Sequence, residues 1–352
     1  MTDPEHEALR EWLQELRSLC AAIRGPVREG LAAVASGTSA RDDVARAVGV
    51  GAGDTTFAID VVAEQVVERW SRGVAARRPL SLLTEDAGWR HLGPDGRGGV
   101  HELDGFDHAG ARIVLDPIDG TRNVMHDLRS AWVVASLARP GAGVPRYADL
   151  VLGLVSEIPD TRSEIVRELS AVRGSGASAR IAHATTGEVL RDDAPLRVDE
   201  EARLDRGYFP YFGYHPAHRA SVQALGAEVV RRLEDEHGID PSTVLDDQYI
   251  SSGGQLALLA LGHYRSIVDA RGTLAQGAGV RTQTAKPYDM AGAALVAQEA
   301  GCVVVHPSGA ALDLPLDAET PVDFAGFHNR ATADAILPLL AESLRRSPSA
   351  SG

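Results

Sequence analysis

Ile113-Val114-Leu115-Asp116-Pro117-Ile118-Asp119-Gly120-Thr121-Arg122-Asn123 is an apolar run that ends in two carboxylates three residues apart. The run reads as a short buried strand, so Asp116 and Asp119 stand at its carboxyl end. Pro117 stiffens the backbone between them, which lets both side chains and the Ile118 carbonyl converge on one hard cation. Gly120 and Thr121 then open a helix, whose free N–H groups can hold a phosphate oxygen. An ordinary Pro-Asp-Gly turn is the alternative, and the number of fixed positions argues against it.

Two further segments add acids of the same kind. Leu80-Ser81-Leu82-Leu83 is strand-like and ends in Thr84-Glu85-Asp86. Downstream, Pro287-Tyr288-Asp289-Met290-Ala291-Gly292-Ala293-Ala294-Leu295 begins a buried helix that Gly301 closes, with Asp289 in its first turn. Taken alone, Asp289 reads as a capping carboxylate.

Together these segments resemble the inositol monophosphatase and fructose-1,6-bisphosphatase superfamily of Mg²⁺-dependent, lithium-sensitive phosphatases. That family carries a Glu-Glu strand end, Asp-Pro-Ile-Asp-Gly-Thr-x-Asn, and a late Trp-Asp-x-Ala-Ala-Gly helix. The matches are Glu85-Asp86, Asp116 to Asn123, and Asp289 to Gly301, in the right order. The resemblance extends to Thr56 through Glu64, Gly174 through Ser178, and Ala257 through Gly272, and it spans roughly residues 50 to 330. Asp86 replaces the second glutamate, Tyr288 the tryptophan, and Val124 a phenylalanine; none of these removes a ligand. Extra length falls around 88 to 110, 179 to 205 and 273 to 286.

The resemblance implies a mechanism. Glu85, Asp116, the Ile118 carbonyl, Asp119 and Asp289 would hold two Mg²⁺ ions, with Asp60 on a third, weaker one and Mn²⁺ as a substitute. Glu85, Thr121 and Asp60 would be the catalytic groups that orient the attacking water, and the Gly120 and Thr121 amides would bind the phosphate. Ser251, Ser252, Asp269 and Arg271 are expected to meet polyol hydroxyls. Tyr211 belongs to Tyr208-Phe209-Pro210-Tyr211-Phe212-Gly213-Tyr214, which reads as a buried strand pair, a dimer contact or a wall of the substrate mouth.

The expected function is hydrolysis of a small phosphorylated polyol or sugar, of the inositol monophosphate or fructose-1,6-bisphosphate type, by direct attack of water. The alternatives are a 3′(2′),5′-bisphosphate nucleotidase and a non-catalytic metal-binding homologue. Asp54, Asp60 and the Val268-Asp269-Ala270-Arg271-Gly272 segment look more like the sugar and inositol branch than the nucleotide branch.

Composition sets the remaining bounds. With 352 residues, 44% of them hydrophobic, the chain can bury a large core as one unit over 1–345, or as two packed halves meeting near residue 150. A net charge of −14 with no basic stripe excludes a nucleic-acid partner, and bound divalent cations would reconcile that charge with an anionic substrate. Cys20 and Cys302 read as reduced core residues. No membrane span or signal core is read, so a cytoplasmic protein without a membrane partner is expected, and the family implies a homodimer.

The expected fold class is α/β, or α+β: a layered α-β-α-β-α sandwich with mixed sheets, the arrangement the resemblance implies. The first helix starts at Asp3-Pro4, carries Leu9, Trp12, Leu13, Leu16, Leu19, Cys20 and Ile23 on one stripe, and stops at Gly25-Pro26. A second has Ile59, Val62, Val66 and Trp70 inward. Strands are read at 132–135, 151–155, 267–268, 303–305 and 324–327, a last helix from Ala331, and a disordered tail over 346–352.

Overall fold

The structure is a computed structural model that describes residues 3–50, 55–214, 216–278 and 283–346. Asp54, residues 279–282 of the 273–286 insertion and residues 347–352 of the expected tail lie outside the described residues. In chain order the first elements are α1 (Asp3–Ala35), α2 (Asp42–Ala45), β1 (Ala47–Val50), β2 (Thr55–Phe57), α3 (Ala58–Ala75), β3 (Leu80–Thr84), β4 (Gly88–Pro94) and β5 (Val100–Glu102). Next come β6 (Ala111–Asp119), α4 (Thr121–Val124), β7 (Ala131–Ala138), β8 (Leu150–Ile158), β9 (Ile165–Val172), β10 (Gly176–His183) and β11 (Val189–Leu196). The remainder are β12 (Gly207–Tyr208), α5 (Pro216–His237), β13 (Val244–Leu245), α6 (Ser252–Ala260), β14 (Ser266–Asp269), α7 (Arg271–Ala278), α8 (Pro287–Ala300), β15 (Val303–Val305), β16 (Phe324–Phe327) and α9 (Arg330–Arg346).

Nine strands form the main sheet in the order β11-β10-β9-β8-β7-β6-β3-β4-β5, and only the β3–β6 pair is parallel. The period-2 alternation of its strands feeds two cores. Ile113, Leu115, Val133 and Ala135 pack with α1 and α3 on one face. Val114, Trp132 and Val134 pack with α6 and α8 on the other. Beneath those helices lies the three-stranded sheet β14-β16-β15, whose far side, Val268, Ala325 and Phe327, meets α5 and α9. The stack is therefore α-β-α-β-α, as expected. The residue 150 boundary considered for two halves falls between β7 and β8, which are paired along their length.

Three expectations need correction. The first helix does not stop at Gly25-Pro26 but runs 33 residues to Ala35. An interior proline costs roughly 3 kcal/mol. Val27 and Leu31 carry the buried stripe beyond it, and burying two such side chains contributes about 1.5–3 kcal/mol each, enough to offset the break. In α3, Ala63, Val67 and Val74 complete the inner face, whereas Val62 is exposed. The last helix begins at Arg330 and includes Arg346, which was expected in the tail. The insertions around 88–110 and 179–205 supply β4, β5 and most of the β10–β11 hairpin, so they widen the main sheet at both edges. Cys20 and Cys302 are buried and unbonded. Among the described residues no helix is long and apolar enough to cross a membrane.

Candidate active site

The register between β6 and β7 explains how one strand can deliver two acids to one place. Asp116 pairs with Val134 and Asp119 with Trp132, so three steps on β6 face two on β7. In a regular strand residues three apart point to opposite faces. The extra residue, at Pro117-Ile118, is a bulge that turns Asp119 back to the side of Asp116. Pro117, which has no N–H to give a ladder, sits where the ladder is interrupted.

Both acids line a cavity of about 230 Å³ together with Asp60, Glu85, Ile118, Thr121 and Asp289. Five helices begin at this cavity, through Asp60 in α3, Thr121 in α4, Ser252 in α6, Arg271 in α7 and Asp289 in α8. Their positive ends favour negative charge there. A second cavity of about 340 Å³ adjoins it, shares Asp60, Glu85, Asp116 and Ile118, and adds Glu64, Glu68 and Arg90.

The four aspartates are held by backbone donors. Asp60 accepts from the Phe57 amide at 2.8 Å and from the Thr121 hydroxyl at 2.8 Å. That hydroxyl also lies 2.9 Å from the Ile118 carbonyl. Asp116 accepts from the Ile118 amide at 2.9 Å, and Asp289 accepts from the Lys286 amide at 2.7 Å. Asp119 caps the start of α6: Oδ2 accepts from the Ser251 hydroxyl at 2.7 Å, the Gly253 amide at 2.6 Å and the Gly254 amide at 3.3 Å, and Oδ1 accepts from the Ser252 amide at 3.2 Å.

The acids are strained electrostatically. Burial pushes the Asp60 carboxyl up to about 6, against its two hydrogen bonds. Asp119 is likewise pushed up to about 6 by burial, against the four bonds from the α6 turn. Asp116 is raised well above the usual range by burial and then by the charges of Asp119, Asp289 and Glu85. Asp289 is raised by burial and by Asp119 and Glu85. A divalent cation among them would offset these like-charge repulsions. The donors fit a hard cation, being carboxylate and carbonyl oxygens. Among the described residues no three His, Cys, Asp or Glu side chains close on a single point as they stand.

A model described as the inositol monophosphatase family matches residues 20–345. The chain belongs to that family. A curated relative, the fructose-1,6-bisphosphatase/inositol-1-monophosphatase of Methanothermobacter thermautotrophicus, is 24% identical over 290 residues, which is 81% of this chain and 84% of the relative. Among solved structures, the fructose-1,6-bisphosphatase of Leishmania major in holo form matches with a TM-score of 0.66 at 12% identity, covering 95% of this chain and 94% of its own. Inositol monophosphatase II of Staphylococcus aureus matches with a TM-score of 0.57 at 16% identity, covering 96% of this chain and 97% of its own. That protein has also been solved with 2′-AMP and with inositol monophosphate bound. At such identities the structures show a shared fold. The inositol monophosphatase family is one of phosphatases, acting on sugar phosphates.

Within this family member, the expected substrate contacts separate. Ser251, Ser252 and Arg271 line the cavity. Asp269 is buried and does not line it, because both its oxygens face the Arg271 guanidinium at 2.7 to 2.8 Å. Tyr211 is also absent from the cavity; its ring lies against Gly226 of α5 in the outer core. The segment is extended, with Phe212 bonded to the Val268 carbonyl, so alternate side chains face opposite ways. Phe212 and Tyr214 line the cavity instead. The Arg271 guanidinium sits 4.4 Å from the Phe212 ring centroid, and Arg122 lies 5.8 Å from Phe57 and 6.0 Å from Tyr214. Arg122, Gln283 and Lys286 are cavity residues with no role expected from sequence, and Tyr214 belongs to the segment expected as a mouth wall, from which Tyr211 had been singled out. The alternation of 211, 212 and 214 was the signal that could have found Tyr214.

Glycine is required where α6 meets Asp119. A Cβ on Gly253 would lie 2.4 Å from Val134 Cγ2 and 2.9 Å from both Asp119 Oδ2 and the Asp289 carbonyl. Gly120 has φ +103° and a Cβ there would come 3.1 Å from Ser251. These two close approaches let the strand end and the helix start share one carboxylate.

Proposed function

We propose that the chain is a Mg²⁺-dependent phosphomonoesterase that hydrolyses a small phosphorylated polyol or sugar, of the inositol monophosphate or fructose-1,6-bisphosphate type. The observation that carries this reading is the β6 bulge, which sets Asp116 and Asp119 into one cavity with Asp60, Glu85 and Asp289 at the starts of five helices. Glu85, Asp116, the Ile118 carbonyl, Asp119, Asp289 and Asp60 would hold two or three Mg²⁺ ions, or Mn²⁺ in their place. When bound, such ions make a water nucleophilic near neutral pH and offset charge on the leaving oxygen.

The chain's own groups supply positioning. The Thr121 hydroxyl, bonded to Asp60, keeps lone pairs that can accept from the attacking water, and Asp60 can take up the proton passed through it. Glu85 would orient the same water from the rim. The first amides of α4, at Gly120 and Thr121, would steady the phosphate oxygens as charge develops. Arg271, fixed by Asp269 and seated on Phe212, would face the polyol, beside the Ser252 turn. Tyr211 and Asp269 act behind these contacts.

The nucleotidase alternative would want an aromatic face free to stack a base. The ring nearest Arg271 carries that guanidinium, and Tyr214 has Arg122 and Arg271 at 6.0 and 5.6 Å, which favours the polyol reading. A phosphate-release screen of inositol, sugar and nucleotide phosphates with Mg²⁺ tests the assignment. Preference for adenosine bisphosphates over every sugar and inositol ester would overturn it.

A further inference from the structure

Asp119 carries an unusual share of hydrogen bonds for a residue proposed to ligate a cation. Oδ2 accepts from Ser251 Oγ, Gly253 N and, at longer range, Gly254 N, which commits its lone pairs to the α6 turn. Oδ1 accepts only the longer bond from Ser252 N and keeps a lone pair. The carboxylate is thus clamped in one orientation with a single coordinating oxygen left. Ser251 Oγ has one proton, which goes to Asp119, and it accepts from the Gly254 amide at 2.9 Å as the cap of α6. It has no second proton to give a substrate hydroxyl. Ser251 lines the cavity, but its hydroxyl is committed to Asp119 as donor and to the Gly254 amide as acceptor.

We infer that Ser251 is a positioning residue for Asp119, and that through this hydroxyl the α6 turn sets how tightly the cavity holds a divalent cation. The inference rests on the metal-dependent reading above. Four donors from one turn leave Asp119 a single rotamer, so the cation meets a ligand already ordered. Without the hydroxyl three backbone amides still hold the carboxylate, but the side-chain bond at 2.7 Å is lost, the orientation is fixed less firmly, and coordination must supply more of the ordering. Partners that orient a metal ligand in this way typically govern affinity by about 10–100-fold.

The test is direct Mn²⁺ binding to the full chain, by calorimetry or by the paramagnetic resonance of free Mn²⁺, with no substrate present. Ser251→Ala should weaken binding about 10–100-fold. Ser251→Thr, which restores the hydroxyl at the same atom, should recover most of it. In steady state the loss should show as a higher Mn²⁺ requirement and not as a higher KM for inositol 1-phosphate at saturating Mn²⁺. An unchanged Mn²⁺ Kd in Ser251→Ala, above all with a raised substrate KM, would overturn the inference alone and return Ser251 to substrate contact. A wild-type chain that binds no Mn²⁺ would overturn the metal reading and this inference together. Thermal melts of both variants confirm that folded protein is compared, and the threonine variant decides the matter if the alanine variant does not fold.

Discussion

Replacing Asp60 with asparagine should make the metal-free protein more stable and the enzyme slower. The Asp60 carboxyl is pushed from 3.8 to about 6 in the fold, chiefly by burial. Because the folded value is the higher one, the fold is favoured by its protonation; that stability is full below 3.8 and is lost as pH rises through about 6. Above pH 7 the ionised group therefore costs on the order of 3 kcal/mol, at about 1.4 kcal/mol per unit. Asparagine fits the same bonds: its oxygen accepts from the Phe57 amide, its amide donates to Thr121 Oγ, and the Thr121 hydroxyl then donates to the Ile118 carbonyl. For a chain of this length the unfolding entropy is on the order of 0.7 kcal/mol/K, so Tm in chelator at pH 8 should rise by about 4 °C. At pH 5, where Asp60 is largely protonated, the gain should fade. Phosphate release with Mg²⁺ should drop by about 10²–10⁴-fold, because the proton acceptor behind Thr121 is gone. A Tm that falls at both pH values would mean that the ionised Asp60 does not destabilise the fold, and turnover that survives the change would remove Asp60 as the proton acceptor.

The other predictions concern the neighbours of that acid. Thr121→Ala should lower kcat by about 10²-fold, worth ~3 kcal/mol of barrier, while melting changes by no more than the ~1 kcal/mol of a lost local bond; equal small effects on both would leave it a structural hydroxyl. Gly253→Ala drives a methyl into Val134 and the Asp289 carbonyl, and should destabilise by about 1–3 kcal/mol and weaken turnover together, as paired melts and assays would read. Tyr211→Ala should behave as a core truncation, losing about 3–5 kcal/mol in chemical denaturation with an unaltered ratio of rates on inositol and fructose phosphates. A shifted ratio would restore Tyr211 to the mouth.

What the sequence could reveal was governed by range. Asp116 to Thr121 declared itself because its geometry is local: a strand, a proline and a glycine within nine residues. The α8 start and its Gly301 end were similarly local, and so was the alternation that feeds two cores. The bulge was not readable, since it exists only as a mismatch between β6 and β7. Ser251 and Asp119 are 132 residues apart, so the clamp on Asp119 required the fold to bring α6 to the end of β6. Asp269 was expected to meet a polyol hydroxyl, and only the fold shows both its oxygens paired with Arg271. Pro26 misled for a related reason. A local helix-breaking rule was overridden by the long-range packing of Val27 and Leu31.

The proposed chemistry requires the acids of this cavity to work through divalent cations on a phosphate ester. The most direct measurement is phosphate release from inositol 1-phosphate and fructose 1,6-bisphosphate across a Mg²⁺ titration, starting from excess chelator, with Asp119→Asn and Asp289→Asn alongside. Release should be absent in chelator and rise to saturation with Mg²⁺, and each variant should fall by several orders of magnitude, as expected when a buried ligand oxygen is neutralised. Release that persists in chelator, or that the two variants leave intact, would contradict the claim.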